Sequence, residues 1–91
     1  MKSFSVIFLL VSMAMPAFSQ SYRGYNCQEL WETRNEIYKD AGYCFKTKRA
    51  IRHFGNAGCR FDRIDDVPLS RKQQREINAI VAQEKVYRCP K

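Results

Sequence analysis

Apolar residues recur at intervals of three and four positions in two stretches of the chain, which indicates amphipathic helices. In the first stretch, Leu30 and Ile37 fall on one side of a helical wheel, and three glutamates fall opposite them. Asn26 and Glu29 have the spacing of a capping box, in which each residue satisfies a backbone donor of the other. The pattern predicts a helix over residues 27–41.

A second long helix is predicted near the end of the sequence. Ser70 and Gln73 repeat the capping-box spacing, and Ile77 and Ile80 then follow on one face. We therefore expect a helix over residues 71–85 that packs its apolar face against the first helix.

A shorter helix and irregular segments are predicted between the two long helices. Thr47 is a suitable N-cap, and Gly55 follows Phe54 as a stop. One side of this short helix is apolar and is predicted to face inward, namely Ala50, Ile51 and Phe54. The other side is predicted to face outward, namely Lys48, Arg49, Arg52 and His53. Glycines and a proline predict loop or short extended structure from there to the last helix.

The start of the sequence has the layout of a secretory signal peptide. Lys2 precedes an apolar run that is shorter than the roughly 20 residues of a membrane span, and Ala17-Phe18-Ser19 offers small residues for cleavage. We expect a signal peptide over residues 1–19, one domain over residues 20–91, and no transmembrane segment after cleavage. The protein is then exported, to the periplasm or to the medium.

Cysteines supply the covalent framework that so short an exported domain needs. Four cysteines allow three pairings. The sequence lacks the C-x-x-C pair that would favour a zinc site. Geometry favours Cys44–Cys59, which flank the short helix, and Cys27–Cys89, which join the two long helices if these are antiparallel. The predicted fold class is mainly α: a small three-helix domain with loop or short extended segments, stapled by two disulfides.

One charged residue lies on the side of the first helix that the wheel predicts to be buried. Arg34 aligns there with Tyr38, and a buried guanidinium must reach either solvent or an acceptor. Glu84 has the matching position on the last helix, so we predict a partly buried Arg34–Glu84 ion pair. Asp65, Asp66 or loop carbonyls are the alternative acceptors, and a structural role is favoured over a functional one.

The sequence carries a net charge of +7, of which Lys2 contributes one unit. In an exported protein the available polyanions are envelope glycans, lipopolysaccharide phosphates and acidic lipid headgroups, so nucleic acid is not an expected partner. A charge that only maintains solubility is the simpler interpretation. The candidate residues for binding an anionic surface lie in and before the short helix, namely Lys46, Lys48, Arg49 and Arg52.

No group of residues predicts catalysis. His53 is the single histidine, and no carboxylate lies at helical spacing to orient it. Asp65 and Asp66 lack the alternating oxygen ligands of a calcium loop, and no glycine-rich phosphate loop is present. We expect neither an enzyme nor a bound metal or cofactor.

The segment LWETRNEIYKDAGYCF, residues 30–45, resembles the core of the YARHG domain family of exported bacterial domains, and residues 42–59 continue the resemblance. The Tyr-Ala-Arg-His-Gly motif that names the family corresponds here to Tyr38-Lys39-Asp40-Ala41-Gly42, which keeps Tyr38 and Gly42. Both retained residues have a structural explanation: Tyr38 is an aromatic residue on the helix face, and Gly42 ends the helix. The resemblance implies an exported location and envelope association, and no chemistry of the missing arginine and histidine carries over.

Two classes of function remain open. The leading one is a non-catalytic, cell-envelope-associated accessory or binding module that recognises an anionic or peptidoglycan-like surface. The alternative is a periplasmic interaction or inhibitor protein that binds another exported protein.

Overall fold

The computed structural model describes residues 22–91, and the predicted signal peptide with its cleavage position lies outside them. The described part contains α1 (Cys27–Asp40), α2 (Lys48–Phe54) and α3 (Arg71–Val86), with a 3₁₀ turn at Ile64–Asp66. No strand forms within that part; the extended segments meet only in one parallel bridge between Tyr43 and Phe61. The predicted three-helix fold is confirmed.

The helices begin at the residues that the capping pattern predicts. The Asn26 side chain accepts from the N–H of Glu29 at 2.8 Å, and the Glu29 carboxylate accepts from the N–H of Asn26 at 2.9 Å. Ser70 and Gln73 form the same pair of bonds at 3.0 and 2.9 Å, and Thr47 caps α2 with a single bond. These bonds satisfy backbone donors that the first turn of a helix leaves open.

Gly42 ends α1 and starts the turn into the next segment. Its φ of +97° lets the N–H of Tyr43 donate back to the carbonyl of Tyr38 at 3.0 Å. A Cβ at this position would lie 3.2 Å from the ring of Phe61. The backbone conformation therefore favours glycine strongly here, and a larger residue would also require the Phe61 ring to shift slightly.

Arg88 ends α3 with the same hydrogen-bond pattern. Its φ is +55°, and the N–H of Cys89 donates to the carbonyl of Glu84 at 2.9 Å. This turn directs Cys89 toward the first turn of α1, where it forms the disulfide with Cys27.

Both predicted disulfides are present. Cys27–Cys89 joins residues 62 positions apart with a Cα–Cα distance of 5.5 Å, and Cys44–Cys59 joins residues 15 positions apart at 5.1 Å. The first ties the start of α1 to the end of α3, so these helices are antiparallel. We call them the α1–α3 pair, and we call residues 44–59, which contain α2, the α2 loop.

Most of the buried residues lie in these two regions, and Val67, between the 3₁₀ turn and α3, is buried as well. In the α1–α3 pair, Leu30, Ile77 and Ile80 are 0, 4 and 0% exposed. In the α2 loop, Phe45 is buried and its ring stacks on that of Phe54 at 5.1 Å between centroids. The α2 loop thus has a small aromatic core of its own, which packs against α1.

Candidate functional site

Arg34 of α1 forms a two-bond ion pair with Glu84 of α3. Its Nε donates to Oε1 at 2.8 Å and its Nη2 donates to Oε2 at 3.0 Å. The side chains are 26% and 14% exposed, so the pair is partly buried. The acceptor of Arg34 is therefore the predicted Glu84, and the alternatives Asp65 and Asp66 do not pair with it. Because both carboxylate oxygens are engaged, this pair joins the two helices.

Tyr38 lies one turn after Arg34 and is half-buried. Burial raises the pKa of its phenol because it disfavours the charged form; the positive charge of Arg34 acts in the opposite direction, and the neighbouring Tyr43 raises the pKa further. The rings of Tyr38 and Tyr43 are 5.9 Å apart. Tyr38 therefore packs beside the ion pair, at the end of α1 that Gly42 terminates.

The four basic candidates do not form one uniform patch. Lys46 precedes α2, and its Nζ lies 3.2 Å from the Asp62 carboxylate. Lys48 and Arg52 are exposed, and no carboxylate among residues 22–91 lies within ion-pair distance of either. Arg49 turns toward α1. The structure thus leaves Lys48 and Arg52 directed at solvent and gives the other two candidates partners within the chain.

Arg49 is fixed by two contacts to α1. The central carbon of its guanidinium lies 3.8 Å from the centroid of the Trp31 ring, which is a cation–π contact. Its Nη2 also donates a hydrogen bond to the side-chain oxygen of Gln28. A long flexible side chain is thereby held in one position while remaining exposed to solvent.

An open groove separates α1 from α2 at this point, with a volume of about 280 Å³. Its lining residues come from both helices, namely Gln28, Trp31, Arg49, Arg52 and His53. The imidazole of His53 meets Trp31 edge to face, with 5.6 Å between ring centroids. The groove therefore combines an aromatic wall with two guanidinium groups.

Glu32 adds one negative charge beside the groove. Its carboxylate accepts a hydrogen bond from Gln28 Nε2 at 2.8 Å and lies 4.0 Å from His53 Nε2. Gln28 consequently donates to Glu32 while it accepts from Arg49. One amide thus links the carboxylate to the guanidinium and fixes both.

The predicted orientation of α2 is partly wrong. Ala50 is buried as expected, but Ile51, predicted to face inward, is 42% exposed. The four residues predicted to face outward are exposed, and two of them, Arg49 and His53, also contact Trp31. Seven residues make only two turns, so a helix this short buries few of its side chains, and Ala50 is the buried one. The i, i+4 spacing of Arg49 and His53, which places them on one flank, is the signal that could have predicted their shared contact.

Metal binding finds no support in the described residues. Residues 22–91 contain no group of three histidine, cysteine, aspartate or glutamate side chains that could hold a metal ion. All four cysteines are engaged in the two disulfides.

The fold and its covalent links define a small helical domain of the disulfide-stapled type. The model of the YARHG domain matches residues 6–85, most of the chain, and the protein belongs to this family. YARHG is an extracellular or periplasmic domain family, and the two disulfides fit an exported protein. No curated protein and no solved structure matches the chain. Within residues 22–91, no helix has the length and hydropathy to cross a membrane.

Proposed function

We propose that the protein is an exported, non-catalytic accessory module that binds an anionic surface of the cell envelope through the basic side of α2. The basic side consists of Lys48, Arg49 and Arg52. Membership of an extracellular or periplasmic family and two disulfides support the location. The surplus of positive charge supports an anionic partner.

The observation that carries this proposal is the concentration of positive charge on α2. Its seven residues include Lys48, Arg49 and Arg52 and no acidic residue, and no carboxylate among the described residues lies within ion-pair distance of Lys48 or Arg52. A short helix that projects two cations without internal partners creates a local positive potential. That potential attracts polyanions such as peptidoglycan or anionic glycans.

Support for a non-catalytic module comes from the surroundings of His53. Within residues 22–91 its charged neighbour is Glu32 at 4.0 Å, and its other contacts are the rings of Trp31 and Phe54. A general base needs a substrate or nucleophile within hydrogen-bond reach and a group that orients it. The cysteines cannot serve as nucleophiles because both pairs are oxidised.

Co-sedimentation with purified sacculi tests the proposal. Lys48→Glu with Arg52→Glu reverses both solvent-directed charges, and we expect bound protein to fall at least about tenfold, because like charges then face the polymer. Arg71→Glu with Arg75→Glu is the matched control, since it changes net charge equally at the exposed start of α3. Equal losses in both variants, or none in the first, would contradict a specific role of α2.

A second candidate function is the interaction or inhibition of another exported protein. Large apolar side chains are exposed beside the Cys27–Cys89 disulfide: Tyr25 is 38%, Val86 70% and Tyr87 40% exposed. Exposed apolar groups that lie close together are typical of protein interaction surfaces. This function predicts a stoichiometric complex with one exported protein that Val86→Glu abolishes and that the α2 charge reversal leaves intact.

A further inference from the structure

We propose that the groove between α1 and α2 is a carboxylate-binding site and that its ligand is a carboxylate of a cell-wall peptide. Arg49 is the principal contact, Arg52 is the second, and Gln28 is the residue that positions Arg49. This inference rests on the proposed function and names the chemical group that the basic side of α2 recognises.

The fixed position of Arg49 is the first reason. A guanidinium has five N–H donors in a planar fork that matches a carboxylate. Only one nitrogen of Arg49, Nη2, donates to the side-chain oxygen of Gln28. Trp31 supports the group from one side at 3.8 Å. A side chain that is already ordered loses less conformational entropy on binding, so the remaining donors are prepared for a planar acceptor.

The dimensions and walls of the groove are the second reason. A volume of about 280 Å³ gives room for the end of a peptide or a short side chain, and the groove is open, so the rest of a longer ligand can extend into solvent. Trp31 and His53 supply an aromatic wall for the carbon atoms next to the carboxylate. Arg52 lines the same groove and adds a second positive charge.

The charge balance favours a carboxylate over a phosphate. Glu32 lies next to the groove that the two arginines line, hydrogen-bonded to Gln28 and 4.0 Å from His53. Two guanidinium groups against one carboxylate leave a single positive charge, which a monoanion neutralises. A phosphate monoester carries a charge of about −1.5 to −2 and three strong acceptor oxygens, and Glu32 repels the excess charge.

Tryptophan fluorescence of the intact exported protein provides the assay, because Trp31 is the only tryptophan in the sequence. The probes are N-acetyl-dialanine with a free carboxylate, the same peptide as its C-terminal amide, and inorganic phosphate. We expect a saturable change with the free carboxylate, none with the amide, and binding of phosphate at least about tenfold weaker. Equal binding of the amide, or tighter binding of phosphate, would overturn the proposal; the latter would indicate a phosphorylated glycan or lipid headgroup.

Charge-conserving variants distinguish specific carboxylate recognition from general electrostatic attraction. Arg49→Lys retains the cation but loses the planar fork, so we expect carboxylate binding to weaken about tenfold or more. Gln28→Leu removes the amide that positions Arg49, so a smaller, severalfold loss is expected. Arg75→Lys on α3 is the matched control and should bind like the parent. Urea midpoints measured on each variant exclude unfolding as the cause, and unchanged binding by Arg49→Lys would contradict the proposal.

The two proposals fail in different ways. If the parent protein sediments with sacculi while the free peptide neither alters Trp31 fluorescence nor competes for sedimentation, carboxylate recognition by the groove is wrong and envelope binding stands. If the peptide binds the groove but the protein does not sediment with sacculi, envelope binding is wrong and the groove remains a carboxylate site.

Discussion

The α1–α3 pair and the α2 loop are each closed by one disulfide, yet they use their charged residues in opposite ways. In the α1–α3 pair, Arg34 and Glu84 satisfy each other across the helix interface at 2.8 Å. In the α2 loop, Lys48 and Arg52 face solvent without a carboxylate partner among the described residues. The first region uses charge to join helices, and the second directs charge toward solvent.

The span of each disulfide explains this division. Cys27–Cys89 closes 62 residues and fixes how two long helices pack, whereas Cys44–Cys59 closes 15 residues around one short helix. A domain this small has little apolar core to spare, so the overall fold depends on long-range links. The local link supports a seven-residue helix whose outer residues are then available for function.

Removing the long-range disulfide should have the largest effect on stability. In the chain-entropy model a closure of 62 residues contributes about 4 kcal/mol, so Cys27→Ala with Cys89→Ala should lower the free energy of unfolding by about that amount. Urea unfolding followed by circular dichroism measures the change. A loss no larger than that of the short-range disulfide would contradict the proposed division of roles.

Removing the short-range disulfide should cost less and act locally. A closure of 15 residues contributes about 3 kcal/mol in the same model. We expect Cys44→Ala with Cys59→Ala to disturb the contact of Arg49 with Trp31 while most helical signal from α1 and α3 remains. Tryptophan fluorescence compared with far-ultraviolet circular dichroism separates the two signals, and their loss in parallel would show that the regions are not independent.

Two arginine substitutions sharpen the comparison at single residues. Arg34→Ala leaves the Glu84 carboxylate partly buried without its partner, so we expect a loss of about 2 kcal/mol, between the values for surface and fully buried pairs. Arg49→Ala removes an exposed cation–π contact and should cost less than about 1 kcal/mol. Unfolding midpoints in urea give both values. A larger loss for Arg49→Ala than for Arg34→Ala would contradict the assignment of the structural arginine to the α1–α3 pair.

Alkaline pH should produce the smallest effect, confined to the region around α1 and α3. Because the pKa of Tyr38 is raised by burial in the folded protein, the unfolded chain loses this proton first. The contribution of the neutral Tyr38 phenol to the free energy of unfolding is therefore fully present below the ordinary pKa of 10.0. It is lost as pH rises through the raised pKa of the folded protein. Tyr38→Phe should flatten the fall in stability above that pH, as measured by urea midpoints, whereas the α2 loop contains no tyrosine.

Local sequence signals predicted the elements of the fold because their causes are local. Asn26 with Glu29 and Ser70 with Gln73 mark helix starts through hydrogen bonds within a single turn. The pairing of Arg34 with Glu84 was also predictable, because two long helices fix which residues share an interface once their direction is known.

The arrangement at the groove was not predictable from those signals. A wheel assigns Arg49 and His53 to an outer face, but it contains no information about how α2 rotates against α1. The tertiary features that hold α2 include the stacking of Phe45 on Phe54 and the Cys44–Cys59 disulfide, and a helical wheel contains neither. The contact of Gln28 with Arg49 was not predictable either, because it joins side chains of two different helices.

Glu84 takes part in two interactions near the end of α3. Its carboxylate binds Arg34, and its backbone carbonyl accepts from the N–H of Cys89 in the final turn of α3. Docking of the two helices before oxidation therefore already brings the Cys89 thiol toward Cys27. We expect this docking to bias the reduced chain toward the native one of the three possible pairings, so that Glu84 helps select the correct crosslink during oxidative folding.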